Sequence, residues 1–190
     1  MKKVLLLGDS LRMGYCNGVK ELLKEQAEVY FPAENCRYTQ YTLQNLNGWL
    51  NAIENYEEIE VIHWNNGHWD IARWCGSEDS LTSKEEYARM LKMILAALHR
   101  RCPKAQVIFA TSTPMNPDGT PSGNPRTTED IMQYNEVAKK VMAEEQVPVN
   151  DLFELLKDEP AETYKDYAHL TEAGYAKVAK VVAERVAAYL

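Results

Sequence analysis

The sequence lacks a long hydrophobic run. Its apolar stretch near the start, Val4 to Leu7, is closed by Gly8, Asp9 and Ser10, far short of the ~20 residues that span a bilayer and of the ~7–15 in a secretory leader. The expectation is an intracellular, cytoplasmic protein with no membrane partner. Cysteine is sparse: Cys16, Cys36, Cys75 and Cys102 are widely spaced with no CxxC or Cys/His ligand pattern. That excludes a zinc ribbon and leaves reduced thiols. Ligand-type residues gather only at His63, His68 and Asp70, an incomplete set, so no metal and no other cofactor is expected. Positive charge is in deficit, with 21 Lys and Arg against 28 Asp and Glu and a net charge of −7. The basic groupings are Lys2-Lys3, His99-Arg100-Arg101 and Lys139-Lys140, too scattered to attract a phosphate backbone, so nucleic acid is excluded as a partner.

What is present is an ordinary globular composition, 45% hydrophobic and 26% charged over 190 residues, which fits a single domain covering 1–190. Short apolar runs alternate with longer amphipathic ones, the pattern of βαβ units around a parallel sheet. Strands are expected at Lys3–Leu7, Glu28–Phe31, Ile59–Trp64, Gln106–Thr111 and Val147–Val149. Helices are expected at Asn17–Gln26, Thr42–Asn55, Ser83–Arg101, Thr128–Gln146 and Thr171–Leu190, with Ser83 and Thr171 as caps and Cys102-Pro103 as a stop. The fold class that follows is α/β: a three-layer α/β/α sandwich of flavodoxin-like type with a five-stranded parallel sheet. Ligands of such sheets bind outside the carboxyl ends of the strands. Those ends carry Gly8-Asp9-Ser10, Asn65-Asn66-Gly67-His68, Thr111-Ser112-Thr113-Pro114 and, beyond the fifth strand, Asp166-Tyr167-Ala168-His169. Four polar segments converging on one crevice can supply a nucleophile, a base, an acid that orients it and oxyanion donors.

The stretch Leu6-Leu7-Gly8-Asp9-Ser10-Leu11, together with Asp166-x-x-His169-Leu170-Thr171-x-x-Gly174-Tyr175, resembles the first and last sequence blocks of the SGNH (GDSL-type) hydrolase superfamily. The resemblance implies a serine esterase acting on a small-molecule acyl ester, with Ser10 as nucleophile, His169 as base and Asp166 as acid. It also implies an oxyanion hole that includes the Ser10 N–H. Where the family has a glycine whose N–H faces the oxyanion, this chain has Pro32-Ala33-Glu34-Asn35-Cys36, and Cys36 is the expected backbone donor. Where the family reads GxND, the chain reads Gly67-His68-Trp69-Asp70. The side-chain amide is therefore expected from Asn65 or Asn66, with Asn65 preferred as the first residue past the strand. The stretch from Thr111 to Asp151 resembles a bacterial branch of these hydrolases without assigned substrates.

The residues argue for the same chemistry without the family. A serine hydroxyl needs a base to take its proton, and an imidazole does this near neutral pH. Of the four histidines, His63 lies within a strand and His99 at a basic helix end, which leaves His169 or His68. Asp166 and His169, three residues apart, would share a face on a helical turn, where the carboxylate can orient the ring. Asp9 reads as a structural hydrogen-bonding residue. The proline-rich loop from Pro114 to Arg126 follows the fourth strand and should shape the pocket, with Arg126 a candidate substrate contact. Trp64 is expected in the core, and Trp69 or Trp74 against an acyl or sugar group. With three phenylalanines and no extended apolar lid segment, a small O-acyl ester, on a carbohydrate or similar polar metabolite, is expected over a lipid. Two other classes fit the fold: a catalytically silent carbohydrate-binding relative and a flavodoxin-like signalling module. The latter needs a phosphorylatable aspartate where this chain has Asn65-Asn66.

Overall fold

Val4, Leu5, Leu6 and Leu7 of the first strand are all fully buried, so this strand must be covered on both faces, as parallel strands are. In the computed structural model, which describes residues 1–121 and 123–190, Leu5 and Leu7 enter one apolar cluster and Val4 and Leu6 a second one on the opposite face. The strands are β1 (Lys2–Leu7), β2 (Ala27–Tyr30), β3 (Ile59–Trp64), β4 (Gln106–Ala110) and β5 (Val149–Asn150). All are parallel, in the order β2-β1-β3-β4-β5. The α/β/α architecture expected from the periodicity is the one observed.

The helices are α1 (Ser10–Leu22), α2 (Thr39–Asn51), α3 (His68–Ile71), α4 (Lys84–Arg101), α5 (Thr128–Glu144), α6 (Leu152–Leu156) and α7 (Glu172–Ala187). Leu46, Leu50, Leu91, Leu98 and Met142 bring α2, α4 and α5 onto the first cluster. Leu11, Val19, Leu152, Val178 and Val182 bring α1, α6 and α7 onto the second. No helix among the described residues is long and apolar enough to cross a membrane.

Two departures from the expected helix starts have identifiable causes. Helix α1 starts at Ser10 rather than Asn17, with Asp9 as its cap, accepting from Leu11 N at 3.0 Å. Gly14 and Gly18 weaken its helical signal, yet each is needed: a Cβ at Gly14 would lie 2.1 Å from the Tyr175 ring, and one at Gly18 2.9 Å from Ala179 Cβ. The α1–α7 contact is that close. Helix α2 starts at Thr39 rather than Thr42 because its cap comes from elsewhere in the chain. Asp70 of α3 accepts from Thr39 N at 3.1 Å and from Thr39 Oγ1 at 2.6 Å. The fifth strand is Val149–Asn150 instead of Val147–Val149, and α3 and α6, with 4 and 5 residues, are shorter than any periodicity can signal.

Asp70 is fully buried, and this burial pushes its carboxyl up to about 7 against the hydrogen bonds from Thr39 and Thr82. An acid whose folded-state pKa stands above its unfolded value near 3.9 binds its proton more tightly in the folded protein. Its contribution to stability therefore falls as pH rises between about 4 and 7. Asp70→Asn cannot ionise, so the melting-temperature difference between variant and parent should move in the variant's favour across that window. Parallel melting profiles would show that Asp70 does not titrate there.

Candidate active site

The site is built from the carboxyl ends of the strands. Ser10 is the first residue of α1, set directly after β1 and Asp9. Asp9 is completely buried, and burial raises its pKa against the Leu11 N–H, the Asn65 amide and the charges of Arg126 and Arg12. By capping Leu11, Asp9 leaves the N–H of Ser10, which has no acceptor within the helix, aimed out of its N-terminus.

Beyond β5 and α6 the chain makes a tight loop closed by an antiparallel bridge between Tyr164 and Leu170. Lys165 N donates to the His169 carbonyl at 2.8 Å. Inside this loop Asp166 Oδ1 accepts from Ala168 N at 2.9 Å and His169 N at 2.8 Å. The imidazole Nδ1 lies 3.0 and 2.9 Å from the two carboxylate oxygens, and Nε2 lies 2.8 Å from Ser10 Oγ. Asp166 and His169 meet in a turn of this loop, not on the helical turn expected. Burial pushes the Asp166 carboxyl up, but the His169 and Ala168 N–H groups and the imidazole outweigh it and hold it below the usual range. The Asp166 carboxylate is thus ionised at neutral pH, as an acid that stabilises an imidazolium must be.

A cleft of roughly 530 Å³ opens over Ser10 and His169, within the range of small-molecule sites. Its lining includes Asn35 and Trp69, Thr120, Asn124 and Arg126 of the loop after β4, and Tyr167. That loop is fastened to the catalytic-side loop: Asn116 N donates to Tyr167 O at 3.0 Å and Asn116 Nδ2 to Asp166 O at 3.2 Å. The Tyr167 hydroxyl donates to the carbonyl of Arg126. Trp69 tilts against Trp74 with centroids 5.4 Å apart, and the Arg37 guanidinium stands 6.0 Å from the Trp69 ring and 4.6 Å from that of Tyr41. Trp64 is in the core, edge-on to Phe109.

Residues 6–177 match the GDSL-like lipase/acylhydrolase family. The chain belongs to this family. It is an SGNH-type hydrolase, as the first and last motifs imply. No curated protein matches it by sequence. Among solved structures it is similar to the acetyl xylan esterase AlAXEase, with TM-score 0.77, 18% identity and coverage of 97% of this chain and 99% of that one. It is also similar to the lipase/acylhydrolase from Enterococcus faecalis, at 0.75, 19%, 98% and 95%, and to the acetylxylan esterase Axe2 from Geobacillus stearothermophilus, at 0.74, 17%, 97% and 94%.

Two of the expected oxyanion donors are committed elsewhere in the structure. The N–H of Cys36 is spent on the Gly8 carbonyl at 3.0 Å, which removes Cys36 as the backbone donor. Asn66 is also committed: its Oδ1 accepts from Trp64 Nε1 at 2.6 Å, and its Nδ2 donates to Arg37 O at 2.8 Å and Thr42 Oγ1 at 3.0 Å. Asn65 packs against Gly8, where a Cβ would lie 1.9 Å from its Oδ1. Its amide is close enough to Asp9 to lower the Asp9 pKa, but no described residue accepts from its Nδ2, which is absent from the buried polar atoms that lack a partner, so Asn65 keeps a donor open to solvent. His68, the second candidate base, is buried and its Nε2 lies 3.1 Å from Thr113 Oγ1. His63 sits 3.2 Å from Asn150 Nδ2, so the His63, His68 and Asp70 side chains belong to three separate networks. Among the described residues no three His, Cys, Asp or Glu side chains converge on a metal position.

Two residues of the site carry no sequence signal. Asn35 stands beside Cys36 and lines the cleft. Arg12, on α1, is a cation that is only 1% exposed. It donates to Pro32 O at 2.8 Å, Glu34 O at 2.5 Å and Gly8 O at 3.3 Å, pinning the Asn35 wall to the helix that begins with Ser10. Arg12→Met keeps the bulk but strands these carbonyls. It should cost about 2–3 kcal/mol in denaturant unfolding and lower kcat by loosening the wall. Unchanged stability would mean the loop holds itself.

Proposed function

We propose that this hydrolase cleaves a small O-acyl ester of acetyl type, borne on a carbohydrate or a similarly polar alcohol, with Ser10, His169 and Asp166 acting as a triad. The observation that carries the reading is the unbroken line from the Asp166 carboxylate through His169 to Ser10 Oγ, with 2.9 Å and 2.8 Å at its two joints. Asp166 holds the imidazole with its proton on Nδ1, so Nε2 is free to accept the Ser10 hydroxyl proton. Ser10 Oγ attacks the carbonyl carbon, and His169 then returns that proton to the departing alcohol. Water repeats the sequence on the acyl-enzyme, with His169 again as base. The N–H of Ser10 at the start of α1 faces the developing negative charge. The scheme calls on no metal or cofactor, so turnover should persist in EDTA.

A cleft whose lining includes Asn35, Thr120, Asn124 and Arg126 suits a polar alcohol, and Trp69 offers an aromatic face against which a sugar ring can stack. Two solved relatives are acetyl xylan esterases by name, which agrees with this class of substrate. Members of a triad act as a unit, so Ser10→Ala and His169→Ala should each lower kcat on an acetyl ester by about 10⁶, and Asp166→Ala by about 10⁴. A fluorophosphonate should label the parent protein at Ser10 and leave Ser10→Ala unlabelled. Full activity in Ser10→Ala would remove the nucleophile. A folded parent that neither labels nor hydrolyses any acyl ester would leave a silent binding relative as the reading.

A further inference from the structure

Cys36 and Asn66 are committed elsewhere, which leaves few donors for the oxyanion beside the Ser10 N–H. We propose that Arg126 is a side-chain donor to the oxyanion, in the role the family gives to an asparagine amide, and that His68 is the positioning residue that aims it. The assignment rests on the triad proposed above.

Arg126 is 7% exposed, and what remains exposed lines the cleft shared with Ser10 and His169. Its Nε donates to His68 Nδ1 at 3.2 Å and its Nη1 to the Asn124 carbonyl at 3.1 Å. No described residue accepts from Nη2, yet Nη2 is absent from the buried polar atoms that lack a partner. It therefore reaches solvent, and the solvent on that side is the cleft. Among the described residues no carboxylate forms an ion pair with this guanidinium, although its charge is felt at both Asp9 and Asp166. A cation held in a buried position without a paired anion is costly to keep. A negative charge that appears beside it only during reaction is the partner that repays this cost.

The aim of the guanidinium is set by a short relay. Because Nδ1 of His68 accepts from Arg126, the ring proton is on Nε2 and donates to Thr113 Oγ1. Burial, reinforced by the charges of Arg126 and His169, holds the His68 pKa well below its ordinary value, so Nδ1 stays an acceptor at working pH. The Arg126 backbone is fixed as well, by the Tyr167 hydroxyl at its carbonyl and by the neighbouring Pro125 carbonyl, which accepts from Arg73 N at 3.0 Å. In the attack step the Ser10 Oγ–carbonyl bond forms, the carbonyl π pair moves onto oxygen, and the hydroxyl proton goes to His169 Nε2. The oxyanion then accepts from Ser10 N–H and from Arg126 Nη2, and its collapse expels the alkoxide, which takes the proton from His169.

The test is steady-state kinetics on an uncharged acetyl ester and on an acetyl ester carrying a carboxylate, with the fluorophosphonate labelling rate of Ser10 measured alongside. Arg126→Ala should lose about 10²–10³ in kcat on the uncharged ester with KM nearly unchanged, and should label more slowly by a similar factor. Millimolar guanidinium should restore part of that loss. Arg126→Lys, which keeps the charge but cannot bond His68 and reach the cleft at once, should recover only a fraction. His68→Ala should lower kcat at constant KM, whereas His68→Gln, which can still accept from Nε, should retain most of it. A parent-like kcat in folded Arg126→Ala overturns the assignment. So does a loss confined to KM of the carboxylate ester, which makes Arg126 an anchor for anionic substrates, or a kcat loss in Asn65→Ala with none in Arg126→Ala. A parent protein inert to both esters and to the probe overturns the proposed triad as well, which separates the two failures.

Discussion

The arrangement of this hydrolase depends on β1 being buried on both faces. A strand reading Val4-Leu5-Leu6-Leu7 with no polar alternation needs helices above and below it. Chains that cross from strand to strand through such helices keep every strand parallel. Every carboxyl end then emerges on the same edge, with β1 near the centre of the order β2-β1-β3-β4-β5. Ser10 follows from β1, His68 from β3, Thr113 and Arg126 from β4, and His169 from the segment beyond β5. The apolar constraint that shapes the core is thus also what gathers the polar groups.

Beneath that edge polar groups are buried, and their titration follows from the loss of water. Burial raises the carboxyls of Asp9 and Asp70 and lowers His68, so the interior groups are pushed toward their neutral forms. Asp166 goes the other way because two backbone N–H groups and the imidazole bond to its ionised form. Its side chain is also half exposed, as that of His169 is in part. Charge is kept where the proposed proton transfer uses it and suppressed beneath. The two buried guanidiniums differ in the same sense: Arg12 spends its donors on backbone carbonyls of the Asn35 wall, whereas Arg126 keeps one for the cleft.

Packing between α1 and α7 connects these two levels. Gly14 lies under Tyr175 and Gly18 against Ala179, so the helix that begins with Ser10 and the helix that follows His169 meet at a spacing only glycine permits. A bond between residues 159 positions apart is therefore backed by a contact one helical turn deeper, and movement of either helix would lengthen it.

By itself the sequence determined what local chemistry and periodicity can carry. The apolar runs marked five strands, the caps Ser83 and Thr171 marked α4 and α7, and Gly8-Asp9-Ser10 with Asp166-x-x-His169 named the residues that meet around Ser10 Oγ. Periodicity placed the start of α2 at Thr42, three residues late, because its cap is Asp70, a residue 31 positions away. The same limit applies to Cys36 and Asn66. Their types suit an oxyanion hole, but whether a donor is available depends on what else takes it, and the Gly8 carbonyl, the Arg37 carbonyl and Thr42 are neighbours only in space. The burial of Arg12 and Arg126 is not legible either, because burial belongs to the packed fold and not to the residue. Which hydrogen-bond donors remain free for a substrate was decided by the tertiary structure alone, since each polar group is satisfied by whichever partner the closed core brings within about 3 Å.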